Sequence, residues 1–117
     1  MNLSSSFLAW AEVRDNNNSA VDWLIAGYVE NSKTDITVIA KGNGGVAECA
    51  KNLLENDPCW GGCKMSTGRF KAWYYAPESV PAMKKGRASM HKNGVINTLE
   101  GCDGEFDMNP SLVNSDM

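Results

Sequence analysis

Residues 21–28, VDWLIAGY, carry large apolar side chains at nearly every position instead of every second one. A strand with one wet face alternates apolar with polar residues, whereas a near-continuous apolar run has to be covered on both faces. This stretch therefore reads as a central strand, and the rest of the chain has to supply a layer on each side of it. Residues 30–35 are turn-like. Residues 36–41, ITVIAK, alternate β-branched residues and read as the hairpin partner.

The covering layers can be sought by their periodicity. Leu3, Phe7, Trp10 (or Ala11) and Arg14 fall on helical spacing, with Leu3, Phe7 and Trp10 on the buried side and Asn2 or Ser4 as the N-cap. DNNNS at 15–19 is a turn. GNGG at 42–45 opens a second helix. A Gly-rich loop there can cradle phosphate, but the lysine and hydroxyl of a P-loop are missing, so a tight strand-to-helix turn is the better reading. That helix buries Val46, Ala50 (or Cys49), Leu53 and Leu54, exposes Glu48, Lys51, Asn52 and Glu55, and ends at Asp57-Pro58. CWGGCKM (59–65) is a strand, 66–68 a turn, and RFKAWYY (69–75) a strand alternating Phe70/Ala72/Tyr74 with Lys71/Trp73/Tyr75. Lys71 breaks an otherwise apolar strand and is expected at an exposed edge. Trp10, Trp23, Trp60 and Trp73 are expected in the core. A last short strand covers 104–108, and 109–117 is polar and irregular. The 117 residues make one domain, with a folded core over 1–108 and a short tail.

Between them lies the most basic stretch, residues 77–99, which opens with two prolines suited to a first helical turn and has Ser79 as a candidate cap. Met83, Gly86, Met90 and Gly94 form a narrow small-and-apolar stripe, expected to lie on the protein. Lys85, Ser89 and Lys92 flank it on one side, and Lys84, Arg87 and His91 on the other, so a cationic face points outward. Gly94 should end or bend the helix. The net charge of the whole chain is −3, yet residues 61–100 hold seven Lys/Arg against two acids, leaving four basic and twelve acidic side chains elsewhere. Charge segregated in this way steers association with an acidic partner.

Several function classes are set aside. No apolar run approaches the ~20 residues of a membrane span, and the first fifteen residues lack a secretory pattern, so a cytoplasmic chain with free thiols at Cys49, Cys59, Cys63 and Cys102 is expected. Cys59 and Cys63 are four apart, which suits neither a zinc pair nor a redox motif; a small thiol or zinc protein using them is the alternative of a different class. No metal or cofactor is expected. His91, the only histidine, reads as a helix-surface residue with no nucleophile or carboxylate placed to partner it, so no enzyme is expected. Net acidity argues against nucleic acid.

The order helix, hairpin, helix, hairpin, helix, strand, with VDWLIAGYVENSKTDITVIAKGNGG, WGGCKM, RFKAWYYAPESVPAMKKGRASMHKNGV and GEFDM, resembles the actin-depolymerising-factor homology domain on its coactosin and drebrin-like branch. The resemblance spans about residues 3–108. It implies an α/β (α+β) fold: a central mixed sheet of about five strands with helices packed on both faces. It also implies a monomeric actin-binding protein of the cytoskeleton. A basic residue just before the fourth strand contributes to filament binding in coactosin-like proteins, and its match is Arg69. The cofilin branch places two cations at positions matching Met83 and Lys85; only Lys85 keeps the charge, with Lys84 beside it. The candidate actin-binding set is therefore Arg69, Lys71, Met83, Lys84, Lys85, Arg87, Met90 and Lys92, with filaments as the preferred partner. A cofilin-like severing, depolymerising or monomer-binding factor is the alternative within the family. Cofilins also carry a regulatory N-terminal serine, which makes Ser4, Ser5 and Ser6 candidates. Nothing in the residues supports phosphoinositide binding. The loop at 66–68 is shorter than usual for the branch, and the family's final helix is expected to be missing after the last strand.

Overall fold

A computed structural model describes residues 2–3, 5–15 and 20–114. Its strands are β1 (Asn2–Leu3), β2 (Trp23–Tyr28), β3 (Asp35–Gly42), β4 (Cys59–Lys64), β5 (Phe70–Tyr75) and β6 (Cys102–Glu105). Its helices are α1 (Trp10–Arg14), α2 (Gly45–Lys51) and α3 (Ala82–Thr98), with 3-10 turns at Ser5–Ala9 and Pro110–Asn114. The sheet order is β1-β3-β2-β4-β5-β6, with β1 a two-residue stub. The inner pairings are antiparallel, and β1 on β3 and β6 on β5 are parallel, so the sheet is mixed.

The apolar run does take the centre. Leu24 and Ala26 point into a core with Phe7, Trp10, Val13, Trp60, Ala72, Ala88, Val95 and Leu99, the side covered by α1 and α3. Trp23 and Ile25 point the other way, into a core with Val46, Cys49, Ala50, Cys59, Cys63 and Trp73, covered by α2. All four tryptophans are buried. Leu112 and Val113, in the 3-10 turn after β6, pack on that second core, so this part of the predicted irregular tail is ordered against the sheet.

The two glycines of CWGGC make both packings fit. A Cβ at Gly61 would sit 2.5 Å from the Trp73 ring, and one at Gly62 would sit 2.6 Å from the Trp10 ring. Each indole therefore packs directly on the β4 backbone, from opposite faces of the strand.

Several local expectations need correction. The first helix is split: Leu3 sits in β1 beside Ile36, Ser5–Ala9 is a 3-10 turn, and only Trp10–Arg14 is α-helical. α2 stops at Lys51, six residues before Asp57, with Asn52 closing it. The last strand is Cys102–Glu105 instead of 104–108. Lys71 is not at an edge, because β6 lies outside β5. Gly42–Gly45 is indeed a strand-to-helix turn: Asn43 O accepts from Trp23 Nε1 (2.8 Å), and Gly45 N–H donates to Asp22 Oδ1 (3.0 Å). A carboxylate thus takes the amide that a phosphate would need.

Candidate actin interface

α3 is held to the sheet by a row of aromatics. Tyr28, Trp60 and Tyr74 stand on the neighbouring strands β2, β4 and β5, with Tyr28–Trp60 edge to face at 5.1 Å and Trp60–Tyr74 stacked at 6.2 Å. Each offers its polar tip to the helix above. Trp60 Nε1 donates to Ala88 O (3.3 Å), Tyr74 Oη to Lys85 O (3.4 Å), and Tyr28 Oη lies 2.8 Å from His91 Nδ1. Ala88, His91 and Val95 form the buried face of α3. The small Ala88 lets the helix approach closely, and the indole and phenol groups satisfy their hydrogen bonds where an apolar contact alone would leave them unpaired.

This reverses the expected orientation. Met83, Gly86 and Met90 do not lie on the protein; Met83 is 82% and Met90 72% exposed, and Gly86 faces open space. His91, expected on the surface, is only 9% exposed. Positions 88, 91 and 95 have the same helical spacing as the glycine-methionine stripe, and the alanine-histidine-valine line wins because the aromatic row offers it partners. Gly94 does not end the helix, since α3 continues to Thr98. Ser79 is not the cap. Its hydroxyl donates to Glu55 O (3.1 Å), while Pro81 precedes the first turn.

The cations are less alike than their clustering in sequence suggests. Lys84 is paired with Asp57. Lys92 is paired with Glu105 at 2.8 Å. Arg69 reaches Asp103 at 2.6 Å and Lys71 reaches the same carboxylate at 3.4 Å. The Arg69 hydrogen bond, with help from Lys71, holds the Asp103 carboxyl below the usual carboxylate range. Three acids from the acidic remainder of the sequence therefore fold back onto the basic half. Parallel β6 brings Asp103 and Glu105 alongside β5, a pairing that no local pattern announces. Among the described residues Lys85 and Arg87 carry no ion pair. They stand on opposite flanks of the exposed Met83–Gly86–Met90 ridge, at about 100° to either side of Gly86. Arg69 stands off α3 at the start of β5, joined to it through β6. Ser4 lies outside the described residues, and Ser5 and Ser6 open the first 3-10 turn.

Burial pushes the His91 imidazole below its ordinary 6.5, and the positive charge of Arg87 acts in the same direction. The unfolded chain then takes up the proton first as pH falls, so the neutral Tyr28–His91 contact stabilises the fold fully above 6.5 and loses ground as pH drops through the lower, folded-state value. Denaturant midpoints should be level from about pH 8 to about pH 7 and decline toward about pH 5, and His91→Gln should flatten that part of the profile. A wild-type midpoint unchanged across this range would contradict the burial argument.

Cys59 and Cys63 lie fully buried beside Cys49 on the α2 side. Burial raises the Cys49 thiol and pushes Cys59 to about 11, which opposes the thiolate form that a metal needs. Among the described residues no group of three or more His, Cys, Asp or Glu could hold a metal ion, and no helix is long and apolar enough to cross a membrane.

The family model described as cofilin/tropomyosin-type actin-binding protein matches residues 4–110. Solved structures agree in fold. Coactosin from Entamoeba histolytica superposes with a TM-score of 0.76 at 24% identity, covering 93% of this chain and 84% of that one. Human coactosin-like protein gives 0.82 at 15% identity, covering 99% and 92%. A cofilin from Streptomyces griseoflavus gives 0.79 at 14% identity, covering 98% and 90%. No curated protein sequence matches.

Proposed function

The chain belongs to the cofilin/tropomyosin-type family of actin-binding proteins, and from that premise we propose that it attaches to actin filaments through the outer side of α3 and the start of β5, without enzymatic activity. The observation that carries this reading is the ridge itself. Met83 and Met90 are exposed thioethers on a helix fixed from beneath by three hydrogen-bonding aromatics, and Lys85 and Arg87 flank them without internal counter-charges among the described residues. A rigid apolar strip rimmed by available cations suits an acidic surface with an apolar cleft: the rim sets encounter rate and orientation, and the strip adds contact area. Arg69 extends the footprint toward β6. The cytoskeleton is the cellular setting this implies.

Mixing the protein with filaments and with monomeric actin at low ionic strength tests the proposal. The protein should enter the filament pellet and leave monomers uncomplexed in sizing. Recovery in the supernatant together with a monomer complex would favour the monomer-binding alternative.

The internal ion pairs give this proposal a sign to check. Asp103 and Glu105 compete with an acidic partner for Arg69, Lys71 and Lys92. Asp103→Asn should therefore raise filament affinity by about two- to fivefold at low salt, the worth of an exposed pair. Weaker binding by a folded Asp103→Asn variant would mean that the carboxylate orients Arg69 for contact instead of occupying it.

A further inference from the structure

Four methionines lie among the described residues, and they divide sharply. Met65 and Met108 are 8% and 4% exposed and pack in the α2-side core, whereas Met83 and Met90 are 82% and 72% exposed. The exposed pair is seven residues apart on one helix, hence on one side of it about two turns from end to end. Three of the four cysteines are buried, leaving the half-buried Cys102 as the other sulfur within reach. The softest accessible sulfur of the described chain is thus concentrated on the α3 ridge.

We infer that Met83 and Met90 form a peroxide-sensitive modification site that weakens the partner surface when oxidised. A peroxide transfers one oxygen atom to the thioether sulfur: the O–O bond breaks, an S=O bond forms, sulfur is oxidised by two electrons and the peroxide is reduced to water or an alcohol. The product replaces a flexible apolar side chain by a polar, chiral one, so the ridge between Lys85 and Arg87 loses the apolar contact it offers. Because the two sulfurs stand clear of the core, the fold itself keeps its packing, and the change falls on binding. The linkage runs both ways. A surface that covers the ridge shields its sulfurs, so a bound partner slows their oxidation. The inference rests on the filament reading above.

The test is graded treatment of the folded protein with hydrogen peroxide, alone and pre-bound to filaments, read by peptide mass spectrometry and co-sedimentation. Met83 and Met90 should gain oxygen well before Met65 and Met108, and more slowly when filaments are present. Filament affinity of the oxidised protein should fall about tenfold, the order expected when one large apolar side chain becomes polar at a contact. The Met83→Leu/Met90→Leu variant, whatever its own starting affinity, should keep that affinity after peroxide. Equal oxidation rates at all four methionines would overturn the inference. So would unchanged binding by the oxidised protein, or loss of binding by the peroxide-treated leucine variant, which would assign the effect to Cys102. An untreated protein that fails to pellet at all would overturn the filament reading and this inference with it, an outcome distinct from the other three.

Discussion

Gly61→Ala should cost the domain about 3 kcal/mol or more, at or beyond the upper end of the usual cost of overpacking a core. Gly61 faces Ile25 across the β2–β4 pairing, and its Cβ would come 2.2 Å from Leu24 O and 2.5 Å from Cζ2 of Trp73. A flexible side chain in the way could turn aside. A backbone carbonyl in the middle of the sheet cannot, and Trp73 is fully buried on the other flank. The central strands would have to part or slide. For a domain of this length each kcal/mol moves the melting temperature by about 4 °C, so a drop of more than about 10 °C is expected in a thermal melt. Gly86→Ala is the control with the opposite sign. Nothing lies within 4 Å of its Cβ position, and an exposed mid-helix glycine is about 1 kcal/mol less favourable than alanine, so this variant should melt higher. If Gly61→Ala melted with the wild type, the account of how the sheet accommodates Trp73 would be wrong.

The Lys85→Ala/Arg87→Ala variant should lose filament affinity by at least about tenfold at low salt while melting like the wild type. The expectation comes from pairing, not from charge alone. Lys84, Lys92, Arg69 and Lys71 already have carboxylate partners, so each gives up an internal contact when it turns outward. Lys85 and Arg87 give up none among the described residues. A charge desolvated at a contact can be worth about 2–5 kcal/mol when its partner is left behind, and a rim charge much less; tenfold corresponds to about 1.4 kcal/mol and so sits between those cases. Lys33→Ala and Lys51→Ala, placed in the β2–β3 loop and on α2, should bind normally. Equal losses from both sets would reduce the interaction to unspecific attraction.

The sheet was readable because its evidence is local. Continuous hydrophobicity at 21–28 demands two covering layers whatever the tertiary detail, and the alternation in RFKAWYY assigns Trp73 and Tyr74 to opposite faces without knowledge of their neighbours. The orientation of α3 was not readable by the same means. Two stripes on that helix have similar spacing, and what decides between them is the row of Tyr28, Trp60 and Tyr74, drawn from three strands far apart in sequence. A stricter reading of the wheel would have noticed that Ala88, His91 and Val95 offer a broader surface than two glycines. The charge pattern misled for a related reason. Runs of Lys and Arg are visible in sequence, whereas Asp103 and Glu105 become their neighbours only through a parallel pairing of β5 with β6 across a crossover helix. In sequence Lys84, Lys85, Arg87 and Lys92 look alike; that Lys84 and Lys92 hold carboxylate partners, while Lys85 and Arg87 hold none among the described residues, is visible only in the fold.

The most direct measurement of the central claim is filament co-sedimentation of the wild-type protein as ionic strength is raised, with Lys85→Ala/Arg87→Ala alongside. Charges on an exposed rim are screened beyond about 10 Å at 0.1 M salt and about 3 Å at 1 M. Wild type should pellet strongly at low salt and progressively less as salt rises, retaining a residue of binding from the Met83–Met90 ridge, and the double variant should start weak and respond little to salt. A folded wild-type protein that stays in the supernatant at low salt, or a double variant whose salt dependence matches the wild type, would contradict attachment through this face.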